Sequence, residues 1–542
     1  MIAFHSLERL TLRRKMVAVR APVGDNDLVC FAMRGFVMGR LAAILVFLVL
    51  ASCGASSGGQ GLAAEDATID MGGSGDASEI NRADLVPDMV ADAATIDISI
   101  DLAPKPLPSL PPDKSFSTRY AAGAHSAPAN PTDPVGRYLA GFGFCAGKDE
   151  ACRKSEGQHD DMMVSAVALA DPQNGEVVIF VGVDSVGMIK YDIEDAQQRA
   201  VERFENELGI HIDGDRIVVA CSHTHGGIDT VGLWGPMLIG AREEEAYIDH
   251  LKTVIADVSL TAFQNLDDVE LDWGTSSSPN SDKDLAEDDE TVWTLRGRNG
   301  GQTVFTLTRW VGHPTKYGSN SNAVSADWVG PFRETMVAET GAVAVYLNGP
   351  VGSVYPDLEG ECTQSDFFPD GFQDPDVSAE AHGKVGCYGV QVAQAALAAL
   401  EQTKPLADSG IYHHYAEFEF HPDNVVLAAV LSLSSVPWDL VEPGDPDVLT
   451  ASRFSWTTVG DLQYLTTPGE TFPSMAYKAA DLLSAAGYDN AVVIGVSQDW
   501  MGYLLTAEQW PQEDLSYYRS LSAGPDVEPA YMKRLQDLIE GN

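Results

Sequence analysis

The sequence predicts an α/β domain with a mixed sheet and crossover helices, spanning 118–542. Three observations carry this expectation. Continuous apolar runs of strand length alternate with amphipathic segments of helical period; several of those runs end in tight-turn residues; and 542 residues at 45% hydrophobic composition suffice for one large core or two moderate ones. The run at 177–183 predicts a strand covered on both faces. A helix follows: Asp192 can cap it, Ile193, Ala196, Ala200, Phe204 and Leu208 share one face, and Gly209 stops it. The run at 217–221 returns as a second buried strand, and strand, helix, strand in that order implies a crossover and parallel pairing. Further strands are expected at 303–311, 342–347, 415–420 and 491–496, with helices near 384–402 and 476–486.

The N-terminus reads as an address. Arg34 and Arg40 precede eleven apolar residues, and Leu50-Ala51-Ser52-Cys53 follows, the pattern of a bacterial lipoprotein signal that leaves Cys53 lipidated. Eleven helical residues span about 17 Å against a hydrocarbon core of about 30 Å, so the run is too short for a membrane span. Residues 1–52 are read as signal peptide, with translation starting at Met1, Met33 or Met38. Residues 53–117 are read as a lipid-anchored tether: 54–117 holds eleven acidic residues and six prolines, with no aromatic before Phe116. The expected location is an exported lipoprotein, periplasmic or at the cell surface.

Charge narrows the partners. With 34 basic and 79 acidic residues the formal net charge is -45, which repels nucleic acid and anionic lipid and suits a neutral, zwitterionic or cationic substrate. Cys145 with Cys152, and Cys362 with Cys387, are close enough in sequence for local disulfides in an oxidising compartment, and Cys221 is left as a small buried hydrophobe. No C-x-x-C pair offers a thiolate metal site.

Chemistry concentrates after the apolar runs. His223 and His225 follow 217–221, and if the strand runs on they point to one face. They can bind one divalent ion together, or one can bind while the other holds substrate; alone, such a pair reads as exposed loop histidines. His313 ends another strand, with Pro314 fixing the turn after it, and Glu470 heads the segment after Pro468-Gly469. Two histidines, a carboxylate and an open position for water make a catalytic zinc arrangement, which lowers the pKa of bound water to about 7 and polarises a carbonyl. Asp327 reads as a partner that orients a ligand histidine or as a helix cap, and Asp184 similarly. No G-x-S-x-G elbow follows a strand-like run, and there is no Walker loop or H-E-x-x-H.

These stretches resemble neutral ceramidases, which are zinc amidases. Ser222-His223-Thr224-His225-Gly226 is similar to the family's T-H-T-H-S-G-P, Gly312-His313-Pro314-Thr315 to its H-P-T, and Ser325-Ala326-Asp327-Trp328-Val329-Gly330 to its S-A-D segment. Pro468-Gly469-Glu470 matches its P-G-E, and Gln498-Asp499-Trp500-Met501-Gly502-Tyr503 is similar to its N-D-Y-x-x-Y. The resemblance implies a ceramidase-like catalytic domain, with one Zn2+ held by His223, His313, Glu470 and Tyr503. His225 would contact substrate or the developing oxyanion, and an N-acyl amide, ceramide or a related lipid, would be cleaved by zinc-activated water. Two departures stand out. Tyr355 occupies the place of the family's catalytic serine, with Ser353 two residues earlier, and only about 40 residues follow Tyr503, which implies a domain without the C-terminal β-sandwich. The altered turn leaves two other readings open: hydrolysis of an ester or lactone, or a surface lipoprotein that binds ligand without catalysis.

Overall fold

The computed structural model describes residues 110–541, apart from 112, 144–148, 237–243, 283, 286, 359–371, 373 and 425–449, together with the backbone of two short N-terminal segments. The chain divides into two units, Met1–Ser99 and Ile100–Asn542. In the first, strands Met16–Ala21 and Leu28–Met33 pair antiparallel. The apolar run, Cys53 and most of the expected tether lie outside the described residues, among which no helix is long and apolar enough to cross a membrane.

The second unit is built on a mixed sheet. Its main strands, in chain order, are β1 (Tyr120–Pro128), β2 (Met163–Asp171), β3 (Glu176–Val183), β4 (Ile217–Cys221), β5 (Asp267–Ser277), β6 (Thr291–Asn299), β7 (Gln302–Trp310) and β8 (Val343–Asn348). Their spatial order is β8-β7-β6-β5-β1-β2-β3-β4. Pairing is antiparallel through the middle and parallel at both ends, β3 with β4 and β7 with β8. Each parallel pair needs a crossover: α1 (Lys190–Arg203) links β3 to β4, and α3 (Val329–Thr340) links β7 to β8. The expected strand–helix–strand unit is therefore present, and a second one mirrors it at the opposite edge.

Burial on both faces explains the continuous apolar runs. Val177, Ile179, Val181 and Val183 join Ile217, Val219 and Cys221 in the core beneath α1 and α2 (Glu245–Gln264). Val178, Phe180, Val218 and Ala220 face the other way. There they meet a second, four-stranded sheet of β9 (Ile411–Phe420), β10 (Thr450–Val459), β11 (Leu462–Thr466) and β12 (Ala491–Ile494), with Tyr464 packing on Phe180 at 4.9 Å between ring centroids. The segments at 415–420 and 491–496 belong to this second layer. Helix α4 (Ala379–Glu401) packs with α3 over the β6–β8 end, and α5 (Pro473–Ala485) with α6 (Val527–Glu540) over the second sheet.

Helix α1 corrects one detail. Gly209 ends it in the left-handed region at φ 66, after a π turn over Phe204–Leu208, as expected. Asp192 lies inside its first turn, and no side chain of the N-cap residue, Ile189, closes the end. Asp499 does so instead, its Oδ1 accepting from Lys190 N at 2.8 Å. Cys152 and Cys387 are disulfide-bonded, Cys145 and Cys362 lie outside the described residues, and Cys221 is a free buried thiol whose pKa burial pushes up to about 12.

The two edges of the large sheet come together. Asn348, at the end of β8, donates Nδ2 to Ser222 O (2.8 Å) and Gly312 O (3.2 Å), while its Oδ1 accepts from Gly312 N (3.3 Å) and Gly349 N (3.0 Å). The segment after β12 fills the gap beside it: Gly495 N bonds Asn348 O (2.9 Å), Cys221 N bonds Val496 O (2.9 Å), and Gln498 N bonds Val219 O (2.9 Å). A side chain at 495 would run into the Gly349 carbonyl, so only glycine fits there.

Candidate metal centre

The histidine loops, the Pro468-Gly469-Glu470 turn and the segment ending in Tyr503 lie at this closure. Strand β4 ends at Cys221, but its ladder continues two residues, Ser222 N to Val183 O (2.8 Å) and His223 N to Ser185 O (2.8 Å). His223 then turns into the left-handed region, φ 68. His223 and His225 thus converge through a turn and not through strand alternation, their rings perpendicular with centroids 4.9 Å apart. His225 N bonds Pro314 O (3.0 Å), tying this loop to the one that carries His313. Residues Glu470–Thr471 pair parallel with Tyr503–Leu504, Glu470 opposite Tyr503. Burial of Gly469 against the Gly502 carbonyl leaves no space for a side chain in the Pro468-Gly469-Glu470 turn.

The result is a buried cluster of three imidazoles and a carboxylate. His223, His225 and His313 each offer a ring nitrogen, all within 4.8 Å of one another. Glu470 Oε2 lies 3.2 Å from His223 Nε2 and 3.4 Å from His313 Nε2, and His225 Nε2 lies 3.3 Å from His223 Nε2. Backbone carbonyls set two of the rings: His223 Nδ1 faces Val186 O at 2.6 Å and His313 Nδ1 faces Val354 O at 3.2 Å, so each Nδ1 donates to a carbonyl and each Nε2 is turned inward toward Glu470. The Tyr503 hydroxyl hydrogen-bonds to Glu470 and Tyr517.

Electrostatics follow from burial and proximity. Burial pushes the Glu470 carboxyl up, but the neighbouring His223 and His313 hold it well below the usual carboxylate range. Burial, then the neighbouring His223 and His313, keep His225 well below an ordinary histidine, hence neutral. Burial and the Glu470 charge raise Tyr503 well above an ordinary phenol.

These donors fit a small divalent cation. Four-coordinate zinc with bonds of about 2.0–2.2 Å sets ligand atoms about 3.3–3.6 Å apart, close to the 3.2 and 3.4 Å from Glu470 Oε2 to His223 Nε2 and His313 Nε2. His313 Nε2 is buried without a hydrogen-bond partner, as an atom left for a further ligand would be. The donor set, imidazole with carboxylate, suits zinc.

The remaining expectations sort unevenly. Tyr355 lies at the cluster, its ring stacked on His313 at 4.9 Å, and burial, then the Glu470 charge, push its hydroxyl up to about 12, so it is a neutral phenol at neutral pH. Ser353 is fully buried, its Oγ without a partner. Asp327 does not touch a histidine: its carboxylate accepts from Tyr317 N (3.0 Å) and Trp328 N (2.7 Å), and the Trp328 indole reaches His313 O (3.3 Å). Asp184 binds Met163 N and Arg333, away from the rings. Sequence reasoning assigned no role to Trp500, whose Nε1 donates to Glu470 Oε1 at 3.2 Å. It also missed Arg153, whose guanidinium covers Phe142 and donates to the carbonyls of Ala140 and His225. A motif outlines candidate ligands; their supports come from single residues and backbone carbonyls with no pattern to search for.

Comparison with solved structures decides the architecture. Neutral ceramidase from Pseudomonas aeruginosa superposes with a TM-score of 0.62 at 14% identity, covering 78% of this chain and 75% of that one. The fold is that of a neutral ceramidase. A ceramidase complexed with C2 gives 0.61 at 14% identity, covering 78% and 76%. No family profile and no curated protein matches the sequence. The ceramidase fold thus extends over most of the described domain, and the His223, His225 and His313 group within it could hold a metal ion.

Proposed function

We propose that this protein is a zinc-dependent hydrolase of N-acyl amides, ceramide or a related lipid among them. The observation that carries the reading is the buried convergence of His223, His225, His313 and Glu470 at the closure of a ceramidase fold. His223, His313, Glu470 and Tyr503 would hold one Zn2+, which when bound supplies Lewis acidity toward water and an acyl oxygen.

The chain's own groups perform the rest. Val186 O and Val354 O fix the tautomers of His223 and His313, and the Trp500 indole holds the second oxygen of Glu470. His225, neutral and in reach of the same point, is assigned to the acyl oxygen as charge develops there. Tyr355 donates its phenolic proton to that oxygen in the role of the family's serine; as a phenol pushed up to about 12 it remains a donor across the neutral range. Cys53 anchors the chain to a membrane as an exported lipoprotein, with 53–117 as tether and 118–542 as catalytic domain.

The test is turnover of matched N-acyl amide and ester probes by purified protein, with and without chelator, beside metal analysis. The reading expects about one zinc per chain and chelator-sensitive amide cleavage, both lost in His313→Ala. Ester cleavage alone would move the assignment to an esterase, and bound zinc with no turnover would make it a binding protein.

A further inference from the structure

Of the three clustered imidazoles, His225 differs in what holds its ring. His223 and His313 each turn Nδ1 to a backbone carbonyl, whereas the Nδ1 of His225 is buried without a hydrogen-bond partner among the described residues. Packing sets it instead. Gly141, at φ 98, lies so close that a side chain there would run into the His225 ring, and Phe142 meets that ring edge-on, with centroids 4.8 Å apart. Phe142 is only half-buried and sits in a loop. Such a contact fixes an imidazole only if something in turn fixes the phenylalanine and both loops.

Arg153 is placed to do so. Its guanidinium lies over Phe142, 5.0 Å from the ring centroid, and donates to the carbonyls of Ala140 (2.5 Å), Ser321 (3.3 Å) and His225 itself. The backbone that carries it is anchored: Leu139 N bonds Arg153 O (3.0 Å), Ser155 N bonds Arg137 O (2.8 Å), and Cys152 is disulfide-bonded. An ion pair is the usual reason to bury a guanidinium. Among the described residues no carboxylate supplies one here: burial alone brings Arg153 down from 12.5 to about 10, which leaves it charged at neutral pH, and its Nε is enclosed without a partner. A planar fork with several donors can serve three carbonyls and an aromatic face at once, which an ammonium group cannot.

We infer that Arg153 is the positioning residue of His225, its guanidinium pinning the His225 carbonyl and the Phe142 ring so that the imidazole keeps a single aim at the centre. That this aim serves an acyl oxygen rests on the hydrolase reading; the positioning itself does not. The segments at 140–142, 225 and 321 are then held as one body by a residue that contributes no atom to the cluster.

Carbethoxylation by diethyl pyrocarbonate, followed by peptide mass spectrometry on the purified chain with and without zinc, tests this, because the reagent modifies a neutral imidazole only as fast as its nitrogen is uncovered. Fragmentation separates His223 from His225, and His313 is the internal control. Arg153→Ala is expected to speed modification of His225 about tenfold, as loss of one charge-assisted hydrogen bond implies, with His313 within about twofold of its original rate. Arg153→Lys keeps the charge without the fork and should leave most of that increase in place. Phe142→Ala, at a half-buried loop position, orphans no polar group and stands in where Arg153→Ala does not fold; it should speed His225 about threefold. An unchanged rate at His225 in either of these variants that folds, a rise that His313 shares in full, or complete protection by lysine overturns the inference. Turnover of the amide probes is scored separately: Arg153→Lys should lower kcat about tenfold at a nearly constant KM, and absence of turnover in every form, beside a change confined to His225, sinks the hydrolase reading alone.

Discussion

Asn348→Leu should unfold the centre from behind, without touching any of its proposed ligands. The side chain is fully buried, and its five hydrogen bonds join the ends of β4, β7 and β8. Leucine keeps the same branched heavy-atom skeleton but ends in bulkier methyl groups, so overpacking adds to the loss of polar contacts. Two partners have other bonds: the Tyr346 hydroxyl also donates to Trp310 O (3.0 Å) and Gly349 N to the same carbonyl (2.9 Å). That leaves Ser222 O, Gly312 O and Gly312 N to be orphaned in the interior. At about 1–3 kcal/mol for each unsatisfied buried group, the cost is about 3–6 kcal/mol with partial relaxation, a large share of a typical domain's 5–15 kcal/mol. Urea unfolding followed by tryptophan fluorescence measures this, and zinc content of the folded fraction measures whether His223 and His313 still meet. A loss below about 1 kcal/mol with full zinc occupancy would refute the claim that Asn348 holds the two edges together.

Three further outcomes are expected. Trp500→Phe removes the indole donor from Glu470 and should weaken zinc binding about 10–100-fold in competition with a chromophoric chelator; unchanged affinity would leave Trp500 a mere packing residue. His225→Gln should retain zinc while turnover falls about 100-fold or more, whereas loss of the metal would make His225 a ligand. Burial pushes the Asp160 carboxyl up from 3.8 to about 7, against hydrogen bonds from Ala326 N and Ser325 Oγ. The folded chain therefore keeps a proton that the unfolded chain releases, so stability should fall as pH rises from about 4 to about 7, and Asp160→Asn should flatten that slope; a difference between the two proteins that does not vary with pH contradicts it.

How much of this was legible follows from how far each interaction reaches along the chain. β3, β4, α1 and the candidate ligand residues were readable because each is announced by neighbours: an apolar run, a helical period, a histidine beside a turn residue. β10 was not, since its inward positions include Ser452, Arg453 and Ser455, buried polar groups satisfied by Asp499 and Gln498 from a distant segment. The Asp192 cap failed for the same reason, because its function is supplied from Asp499, some three hundred residues on. α2 is a different case: Ile248, Leu251, Ile255, Val258 and Ala262 show helical spacing plainly, and the segment went unassigned only because no motif drew attention to it. Asp327 carried a recognisable motif, yet its contacts are backbone amides that no sequence pattern marks.

The seam at Gly495–Gln498 also bears on how copies of this chain avoid each other. A sheet's outermost strands carry open rows of amide and carbonyl groups that can template a neighbouring chain. Here the short segment after β12 occupies those rows on β4 and meets β8 at its last residue, so the place most prone to cross-molecular pairing is sealed by the same few peptides that floor the candidate metal centre. A bulkier residue at Gly495 would pry that seal apart, and its first symptom would be self-association.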